Sequence, residues 1–463
     1  MRILFVFLFS INSIFAQVNI DKQINNILSK LPSSTTTAVM ILDPQNDEVI
    51  FEKNRYTSMV PASNTKLYTT ATAINLMGPD FQIATKLFTD DLELNDTIMD
   101  GSIYLKGFGN SLFTETELDS MVQDVVDLGI RRITGNVVGD DTYFDDIYYR
   151  DDWIMDEMPN VELPPISALV LNKNMATILI SANKKSGSKV SCEVIPSIDY
   201  LLINNSAKVT TKRSSPSLTV ITNSNGIDIS VSGYVKKSTY EKSYNVYIDN
   251  PPLFCAWVLK DKLEKKGIRV LGYPITAETP NKAIELSSSS VSLKEIISII
   301  NKKSDNFRAE CLFKTIGAYF SGKQGNSFYS TQAVLTFADR NNIFDDGTSI
   351  VDGSGISRAN EVTVNSIVGL LSSIYKNEGL FEPFYNSLSI AGYDGTLGGR
   401  MKYGTNFRGK TGTLRGVSSL SGYLVTQNNK MIIISIIMSY TKKGSDFHRN
   451  IQDDIVEYLS ETL

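Results

Sequence analysis

The spacing of apolar residues predicts a chain in which helices and short strands alternate. Helical spacing occurs at residues 21–31, 62–77, 115–128, 250–266, 292–302 and 450–459. The helix that begins near residue 292 breaks at 303–306 and resumes through residue 316. Strand-like runs occur at residues 36–42, 48–52, 102–107, 135–140, 218–222, 407–414, 418–426 and 430–440. The pattern therefore predicts a mixed α/β protein with a strand-rich middle part.

The first 16 residues have the pattern of an export signal. Arg2 supplies a positive start, Ile3–Phe9 form an apolar run, and a small residue, Ala16, precedes the expected cut. The apolar run is too short to anchor the chain in a bilayer, and no cysteine follows the cut to carry a lipid. We therefore expect an exported, periplasmic or otherwise extracytoplasmic protein without a stable membrane anchor.

The composition excludes several kinds of site. A formal net charge of -5 over 463 residues provides no basic field for a nucleic acid. The single histidine, His448, nearly excludes a Ser-His-Asp site and any metal site with several histidine ligands, and we expect it to have a surface or helix-capping role. The three cysteines have neither metal-binding spacing nor a disulfide framework. The sequence predicts no metal and no cofactor, and it leaves the oligomeric state open.

A serine and a lysine begin the helix predicted over residues 62–77. Ser63 and Lys66 are three residues apart, so they share one face of the helix and their side chains can meet. The positive end of the helix dipole disfavours an ammonium group there, and a free amine could accept the serine proton. The alternative is a capped helix with a solvated lysine.

Two further short motifs follow in order, Ser304-Asp305-Asn306 in a loop between helices and Lys410-Thr411-Gly412 in a strand that leads into a hairpin. None of the three motifs is specific alone. Ser373-x-x-Lys376, for example, repeats the first spacing late in a predicted surface helix. Each motif also has a structural alternative, a polar helix break or a surface hairpin. The order and the predicted settings together indicate one site.

In these motifs the chain resembles the penicillin-recognising serine acyltransferases. It is most similar to the low-molecular-mass class C penicillin-binding proteins, which are D-alanyl-D-alanine carboxypeptidases and endopeptidases. The narrower likeness depends on residues 304–310, 352–358, 391–397 and 409–414, and on the long gap between Lys66 and Ser304.

The resemblance implies a serine β-lactamase/transpeptidase-like α/β (α+β) domain, with an antiparallel sheet flanked by helices. Two smaller β-rich domains would be inserted between the first and second motifs. We expect the catalytic domain at residues 17–80 and 275–463, and the inserted domains at 81–182 with 246–274 and at 183–245.

The resemblance also implies a role for each motif. Ser63 would form the acyl-enzyme with Lys66 as its base, and Ser304 would pass a proton to the leaving amine within reach of Lys66. Asn306 would bind the substrate amide, while Asp305 is expected to point away and hold its loop.

The third motif would bind the substrate. Lys410 would attract its terminal carboxylate and lower the pKa of Lys66, and Thr411 and Thr413 would donate hydroxyls. Gly412 would leave the strand edge bare for the peptide, and the backbone N–H groups of Ser63 and Thr413 would form the oxyanion hole.

The chain departs from the family pattern in two places. It has Gly109-Asn110-Ser111 where Gly-Asp-Pro is common, and only Trp153 remains of a tryptophan-rich stretch. Asp156 or Glu157 would replace a family carboxylate that recognises the side chain of the substrate. Asp352-Gly353-Ser354-Gly355 matches the family, and we expect it to form a tight turn without chemistry.

The expected function is cleavage of the terminal D-Ala-D-Ala bond of peptidoglycan stem peptides, with β-lactams acylating Ser63. Whether peptide cross-links are cut as well is left open by the sequence. One alternative is a β-lactamase or esterase of the same fold, although no Tyr-x-Asn motif or deacylating glutamate is evident. Another is a non-catalytic peptidoglycan-binding or sensor protein.

Overall fold

The computed structural model of the protein describes residues 20–94, 97–153, 163–223, 226–238 and 240–463. These residues divide into two compact units. The first comprises the described parts of Met1–Gln82, Tyr149–Glu162 and Ser292–Leu463, and the second those of Ile83–Tyr148 and Leu163–Val291. The finer division into a catalytic and two inserted domains stays a prediction.

The strands and helices are numbered in chain order. The strands are β1 Thr36–Asp43, β2 Glu48–Lys53, β3 Gln82–Thr89, β4 Ile98–Met99, β5 Ile103–Gly107, β6 Arg132–Ile133, β7 Val137–Asp140, β8 Met175–Ser181, β9 Ser191–Ile195, β10 Leu201–Asn205, β11 Lys208–Thr210, β12 Pro216–Asn223, β13 Gly226–Lys236, β14 Lys242–Tyr247, β15 Arg269–Val270, β16 Pro274–Thr276, β17 Ile284–Ser292, β18 Ser389–Ile390, β19 Phe407–Leu414, β20 Val417–Val425 and β21 Met431–Ser439. The helices are α1 at 20–28, α2 Thr65–Met77, α3 Glu115–Asp127, α4 Pro251–Lys265, α5 Leu293–Lys303, α6 Asn306–Ser321, α7 Ser327–Arg340, α8 Val364–Tyr375, α9 Glu378–Ser387 and α10 Ser445–Thr462.

An antiparallel sheet organises the first unit. Its order in the described residues is β18-β19-β20-β21-β1-β2, so strands from both ends of the unit lie side by side. Apolar residues of α1, α10 and one sheet face form a common core, among them Ile24, Ile434 and Ile455. Helix α8 packs against β1 and β21, and α2 packs against α6. This is the expected sheet flanked by helices.

The second unit is rich in strands. Its largest sheet among the described residues has the order β16-β7-β5-β3-β17, and smaller sheets contain β8–β14 and the short strands β4, β6 and β15. Helices α3 and α4 contribute Val122 and Leu259 to a core shared with strand residues such as Leu105 and Ile178. In sequence this unit lies between Lys66 and Ser304, as expected for inserted β-rich material.

The C-terminal helix begins earlier than the sequence pattern predicts. Helix α10 begins at Ser445, and this places His448 in its first turn. His448 is buried and stacks on Tyr440 with ring centroids 3.6 Å apart. Its Nδ1 donates to the Gly444 carbonyl at 3.0 Å. The expected surface position was therefore wrong, because the earlier helix start turns the imidazole onto the sheet.

Within the described chain, no helix is both long and apolar enough to cross a membrane. Residues 1–16, where we predict an export signal, lie outside the described residues.

Candidate active site

Ser63 lies in a single 3-10 turn, Ala62–Asn64, directly before α2. The preceding Ala62 is fully buried and has φ +49°, a backbone conformation that costs a non-glycine residue about 1–3 kcal/mol. Two side chains hold the turn in place. Ser419 Oγ donates to the Pro61 carbonyl at 2.6 Å, and Thr65 Oγ1 donates to the Ala62 carbonyl at 3.0 Å. The nucleophile candidate is thus presented from a strained but braced turn.

The amine of Lys66 is fully buried and has three hydrogen-bond partners. Its Nζ lies 3.1 Å from Ser63 Oγ, 2.7 Å from Asn306 Oδ1 and 2.5 Å from the Ser354 carbonyl oxygen. The last two partners can only accept. A neutral amine has two N–H groups for these carbonyls, so its lone pair is left facing the Ser63 hydroxyl. This arrangement suits a base.

Burial lowers the pKa of Lys66 to about 8, while Asp352, Glu310 and Asp305 oppose that change. A lowered pKa agrees with the expectation from the sequence, but its cause differs. The charges that act on Lys66 are carboxylates, and desolvation rather than positive surroundings disfavours the ammonium form.

The second motif lies where α5 ends and α6 begins. Ser304 adopts a left-handed conformation with φ +55° at the end of α5, and this turns the chain sharply into α6. Asp305 accepts the backbone N–H of Arg308 at 3.0 Å and forms an ion pair with its guanidinium. Its carboxylate therefore caps α6, as expected for a residue that holds the loop. Asn306 points to Lys66.

Ser304 pairs with Lys410, not with Lys66. Lys410 Nζ lies 2.9 Å from Ser304 Oγ and also donates to the Thr411 carbonyl at 2.7 Å. Lys410 is fully buried, and burial together with the charge of Lys66 holds its pKa well below the usual value. The expectation that Ser304 reaches Lys66 was therefore wrong, because packing associates each hydroxyl with its own buried lysine.

The edge of β19 is open beside this pair. The short strand β18 bonds only to Arg408 and Gly409, and in the part of the chain that the structure describes no strand covers Thr411–Leu414 on that side. Thr411 Oγ1 donates to Thr396 Oγ1 at 2.8 Å. An extended peptide could therefore add to this edge.

Gly412 allows β19 to approach the turn that carries Ser63. A Cβ at Gly412 would lie 2.2 Å from Ser419 Oγ, 2.7 Å from the Pro61 oxygen and 3.0 Å from the Ser63 nitrogen. Glycine is therefore required here by contacts within the protein and not only by the substrate, since a side chain at this position would displace the turn Ala62–Asn64.

Arg449 of α10 is a residue that sequence reasoning missed. Its guanidinium donates to Thr413 Oγ1 at 3.0 Å and pairs with Asp446 at 3.0 Å. Arginine is suited to binding carboxylates through two parallel hydrogen bonds. No sequence pattern indicates this residue, because nothing along the chain links α10 to the end of β19.

The loop Asp352–Gly355 contacts the site directly, although the sequence predicts only a tight turn there. Its Ser354 carbonyl accepts a hydrogen bond from Lys66, and its Gly353 carbonyl accepts one from Thr69 Oγ1 at 2.8 Å. Gly355 has φ +81°, and a Cβ there would lie 2.0 Å from the Ala62 oxygen. The loop therefore contacts both Lys66 and the turn that carries Ser63.

Five of the candidate residues line a shared cavity of about 800 Å³ in the first unit, namely Ser63, Ser304, Asn306, Thr411 and Thr413. The lining residues are Ser63, Ser304, Asn306, Thr396, Gly399, Arg400, Met401, Thr411, Thr413, Asp446, Arg449, Asn450 and Asp453. Asp156 and Glu157, predicted to recognise the substrate side chain, lie outside the described residues. Among the described residues no cluster of His, Cys, Asp and Glu could hold a metal ion.

Comparison with known proteins matches the model of the D-Ala-D-Ala carboxypeptidase 3 (S13) peptidase family to residues 20–462. The chain belongs to this S13 family. One relative of this S13 peptidase is D-alanyl-D-alanine carboxypeptidase DacB of Haemophilus influenzae, 24% identical over 96% of the chain and 95% of the relative. Another is a D-alanyl-D-alanine carboxypeptidase of Actinomadura sp., 28% identical over 84% of the chain and 75% of the relative.

Solved structures show the fold of the S13 peptidase. Penicillin-binding protein 4 from Haemophilus influenzae matches with a TM-score of 0.81 at 23% identity, over 95% of this chain and 99% of that chain. The same protein complexed with a β-lactam matches with a TM-score of 0.75 at 22% identity, over the same shares of the two chains. The mixed α/β fold expected from the sequence is thus confirmed.

Proposed function

We propose that this S13 peptidase is a serine D-Ala-D-Ala carboxypeptidase that cleaves peptidoglycan stem peptides through an acyl-enzyme on Ser63. One observation carries the proposal. The buried Lys66 amine is 3.1 Å from the Ser63 hydroxyl, and two carbonyl oxygens occupy its other bonding directions. The lysine performs the proton transfer that histidine performs in other serine hydrolases.

In the acylation step, Ser63 Oγ attacks the carbonyl carbon of the penultimate D-alanine while its proton moves to Lys66 Nζ. The new O–C bond gives a tetrahedral oxyanion. The backbone N–H groups of Ser63 and Thr413 stabilise it, and Gly412 supports this assignment because it brings the two segments together. Loss of one such donor typically lowers the rate by about 10²–10³-fold.

Collapse of this intermediate breaks the C–N bond and requires a proton on the departing nitrogen. The Ser304 hydroxyl delivers it and recovers a proton from Lys410, which lies 2.9 Å away. The lowered pKa of Lys410 makes that transfer easier. Before deacylation Lys66 loses the proton it took from Ser63 to solvent, and Lys410 regains a proton from solvent, so both amines return to their starting states. Water then attacks the acyl carbon while its proton moves to Lys66, and Lys66 passes that proton to Ser63 Oγ as the O–C bond breaks and the shortened peptide is released.

The substrate lies along the open edge of β19. Its terminal carboxylate is held by the hydroxyls of Thr411 and Thr413 and by the guanidinium of Arg449, with Lys410 adding positive charge. Asn306 binds the substrate amide at the other side of the serine. Asp156 or Glu157 contacts the side chain of the third stem-peptide residue.

β-Lactams acylate Ser63 because they present a carbonyl and a carboxylate in the same relation as the peptide. Cross-linked peptides are proposed as further substrates, because the cavity of about 800 Å³ is also lined by Asn450 and Asp453 of α10 and is larger than a single alanine requires. The protein acts outside the cytoplasm, in the periplasm, after removal of residues 1–16.

The test is release of D-alanine from an N-acylated tripeptide ending in D-Ala-D-Ala, together with the intact mass after benzylpenicillin treatment. The wild type should release D-alanine and gain one penicilloyl group, and Ser63→Ala should do neither. If the wild type does neither, the proposal is wrong.

The same assay separates the alternatives. Rapid turnover of penicillin without release of D-alanine from the peptide would identify a β-lactamase of this fold. Binding of the peptide without any product, in the wild type as in Ser63→Ala, would identify a non-catalytic sensor.

A further inference from the structure

Two buried carboxylates lie behind the Lys66 amine, and the mechanism above does not use them. Glu310 of α6 is 2% exposed, and Asp352 is fully buried at the start of the loop that touches Lys66. Burying a carboxylate is unfavourable unless it receives several hydrogen bonds. Each group accepts two backbone N–H groups of one loop.

The backbone N–H groups of four loop residues converge on the two acids. Glu310 accepts the N–H groups of Gly353 and Ser354 at 3.2 and 2.7 Å. Asp352 accepts those of Gly355 and Ser357 at 2.7 and 2.8 Å. Because these N–H groups are held on one side, the Ser354 carbonyl is directed away from the acids and bonds Lys66 Nζ at 2.5 Å.

Two side-chain hydrogen bonds hold the carboxylate of Asp352 as well. Asp352 accepts the side-chain N–H groups of Asn360 at 2.8 Å and of Trp153 at 3.0 Å. The buried Trp153 thus contacts the loop from the segment just before the predicted recognition residues. The Asn360 amide also bonds the Ser357 carbonyl at 2.8 Å. Asp352 is therefore held by four hydrogen bonds beside the loop that contacts Lys66.

We infer that Glu310 and Asp352 are positioning residues for the Lys66 base, acting through the backbone of the loop Gly353–Ser357. They hold the Ser354 carbonyl where it takes one N–H of the amine, and this leaves the lone pair directed at Ser63. The inference builds on the proposed function, since it assigns Lys66 as the base.

The acids also act on the amine through their charge. They raise the pKa of Lys66 against the effect of burial, while burial raises the pKa of both acids. The other charged groups around this cluster are Arg150, Asp152, Asp305, Arg308, Lys314 and Lys410. Removal of the Asp352 charge should therefore lower the pKa of Lys66.

The test measures the acylation rate constant of benzylpenicillin and its non-covalent dissociation constant at a series of pH values. The conservative variant Glu310→Gln keeps an oxygen for the Ser354 N–H and loses the acceptor for Gly353. We expect acylation to slow by about 10–100-fold, since a misplacement of about 1 Å can cost that much. The dissociation constant should be unchanged.

The pH profile distinguishes positioning from a purely structural role. In Asp352→Asn the acid limb of acylation should move to lower pH by roughly half a unit to one unit, because Asp352 is the carboxylate that raises the pKa of Lys66 most. Burial raises the pKa of Glu310 to about 8, so Glu310→Gln should change the rate and leave the acid limb in place. The matched control is Asp140→Asn in the second unit. Asp140 is also fully buried and accepts two backbone N–H groups, from Thr142 at 2.9 Å and Thr279 at 2.7 Å. It should lose stability without a change in the acylation profile.

A wild-type acylation rate in Glu310→Gln, or a wild-type acid limb in Asp352→Asn, would overturn the inference. If the acid variants do not fold, the Thr69→Val variant tests whether the position of the loop controls acylation. It removes only the hydroxyl that bonds the Gly353 carbonyl. It should slow acylation with no shift of the acid limb, and a wild-type rate would refute the positioning role. Absence of acylation in the wild type would instead refute the proposed function.

Discussion

The hydroxyl of Ser304 is hydrogen-bonded to Lys410, 2.9 Å from its Nζ, so the site contains two separate hydroxyl–lysine pairs. In the other pair, Ser63 Oγ is 3.1 Å from Lys66 Nζ. Two proton transfers are needed to cleave an amide, one from the nucleophile and one to the leaving nitrogen. Each pair is suited to one of them, so the two transfers can be disturbed independently.

The Ser304→Ala variant should show which transfer this hydroxyl serves. We expect cleavage of a D-Ala-D-Ala amide to slow by about 10²-fold or more, the usual contribution of a general acid. An ester with the same acyl part should be affected less, because an alkoxide can leave without prior protonation. Steady-state kcat for the two substrates measures this. An equal loss of kcat on both substrates would contradict the assignment. The matched control is Ser373→Ala on α8, because Ser373-x-x-Lys376 repeats the spacing of Ser63 and Lys66.

The pH dependence of acylation should report the protonation of Lys66. Only the neutral amine accepts the Ser63 proton, and burial lowers the pKa of Lys66 to about 8. The rate constant should therefore rise about tenfold per pH unit below that value and level off above it. Stopped-flow acylation with a chromogenic β-lactam measures the profile. A rate that does not change through this region would exclude Lys66 as the base.

The Gly412→Ala variant should damage the site through the backbone. The new methyl group would lie 2.7 Å from the Pro61 oxygen and 3.0 Å from the Ser63 nitrogen, so strand and turn must separate. We expect acylation to fall by about 10²-fold, as for loss of an oxyanion donor. The control Gly379→Ala adds a methyl group at an ordinary contact distance of 3.6 Å. Wild-type acylation in Gly412→Ala would contradict the close approach.

Removal of Arg449 should weaken substrate binding more than chemistry. Its guanidinium bonds Thr413 at 3.0 Å, where the terminal carboxylate is proposed to lie. We expect Arg449→Ala to raise KM for the peptide by about tenfold, the loss of one charge-assisted hydrogen bond of about 1.5 kcal/mol. For a peptide with an amidated C-terminus, the KM values of Arg449→Ala and of the wild type should be equal. Lys442→Ala, which removes an exposed charge nearby in sequence, is the control.

The single histidine should matter for stability and not for catalysis. His448 is buried against Tyr440, and its Nδ1 bonds the Gly444 carbonyl. We expect His448→Ala to lower the free energy of unfolding by about 1–3 kcal/mol, as for other disrupted buried contacts. Urea unfolding and the acylation rate of the folded protein measure the two effects. Loss of acylation with native stability would show that the imidazole takes part in the reaction.

Much of the site could be predicted because its parts are local. The three-residue spacing of Ser63 and Lys66 fixes their contact within one helix turn, wherever that helix lies. The strand at 407–414 is predicted with the bounds that the structure shows, because it precedes two further strand-like runs that a hairpin turn joins. These features need no knowledge of the tertiary structure.

What could not be predicted depends on packing between distant segments. The choice of Ser304 between two buried lysines is set by how β19 meets the α5–α6 junction, and no sequence pattern encodes it. The role of Ser354 is carried by a backbone carbonyl, a group that every residue has. The cause of the low pKa of Lys66 is burial, which a motif does not reveal.

The order of strands in the sheet of the first unit has a consequence for biosynthesis. Strand β1 lies between β2 and β21, so residues made early pair with residues made near the end. Ser63 and Lys66 leave the ribosome long before Lys410 exists. A nascent or truncated chain therefore contains Ser63 and Lys66 but lacks β19, which carries Lys410. Such an enzyme stays inert until its last strands have been synthesised and docked.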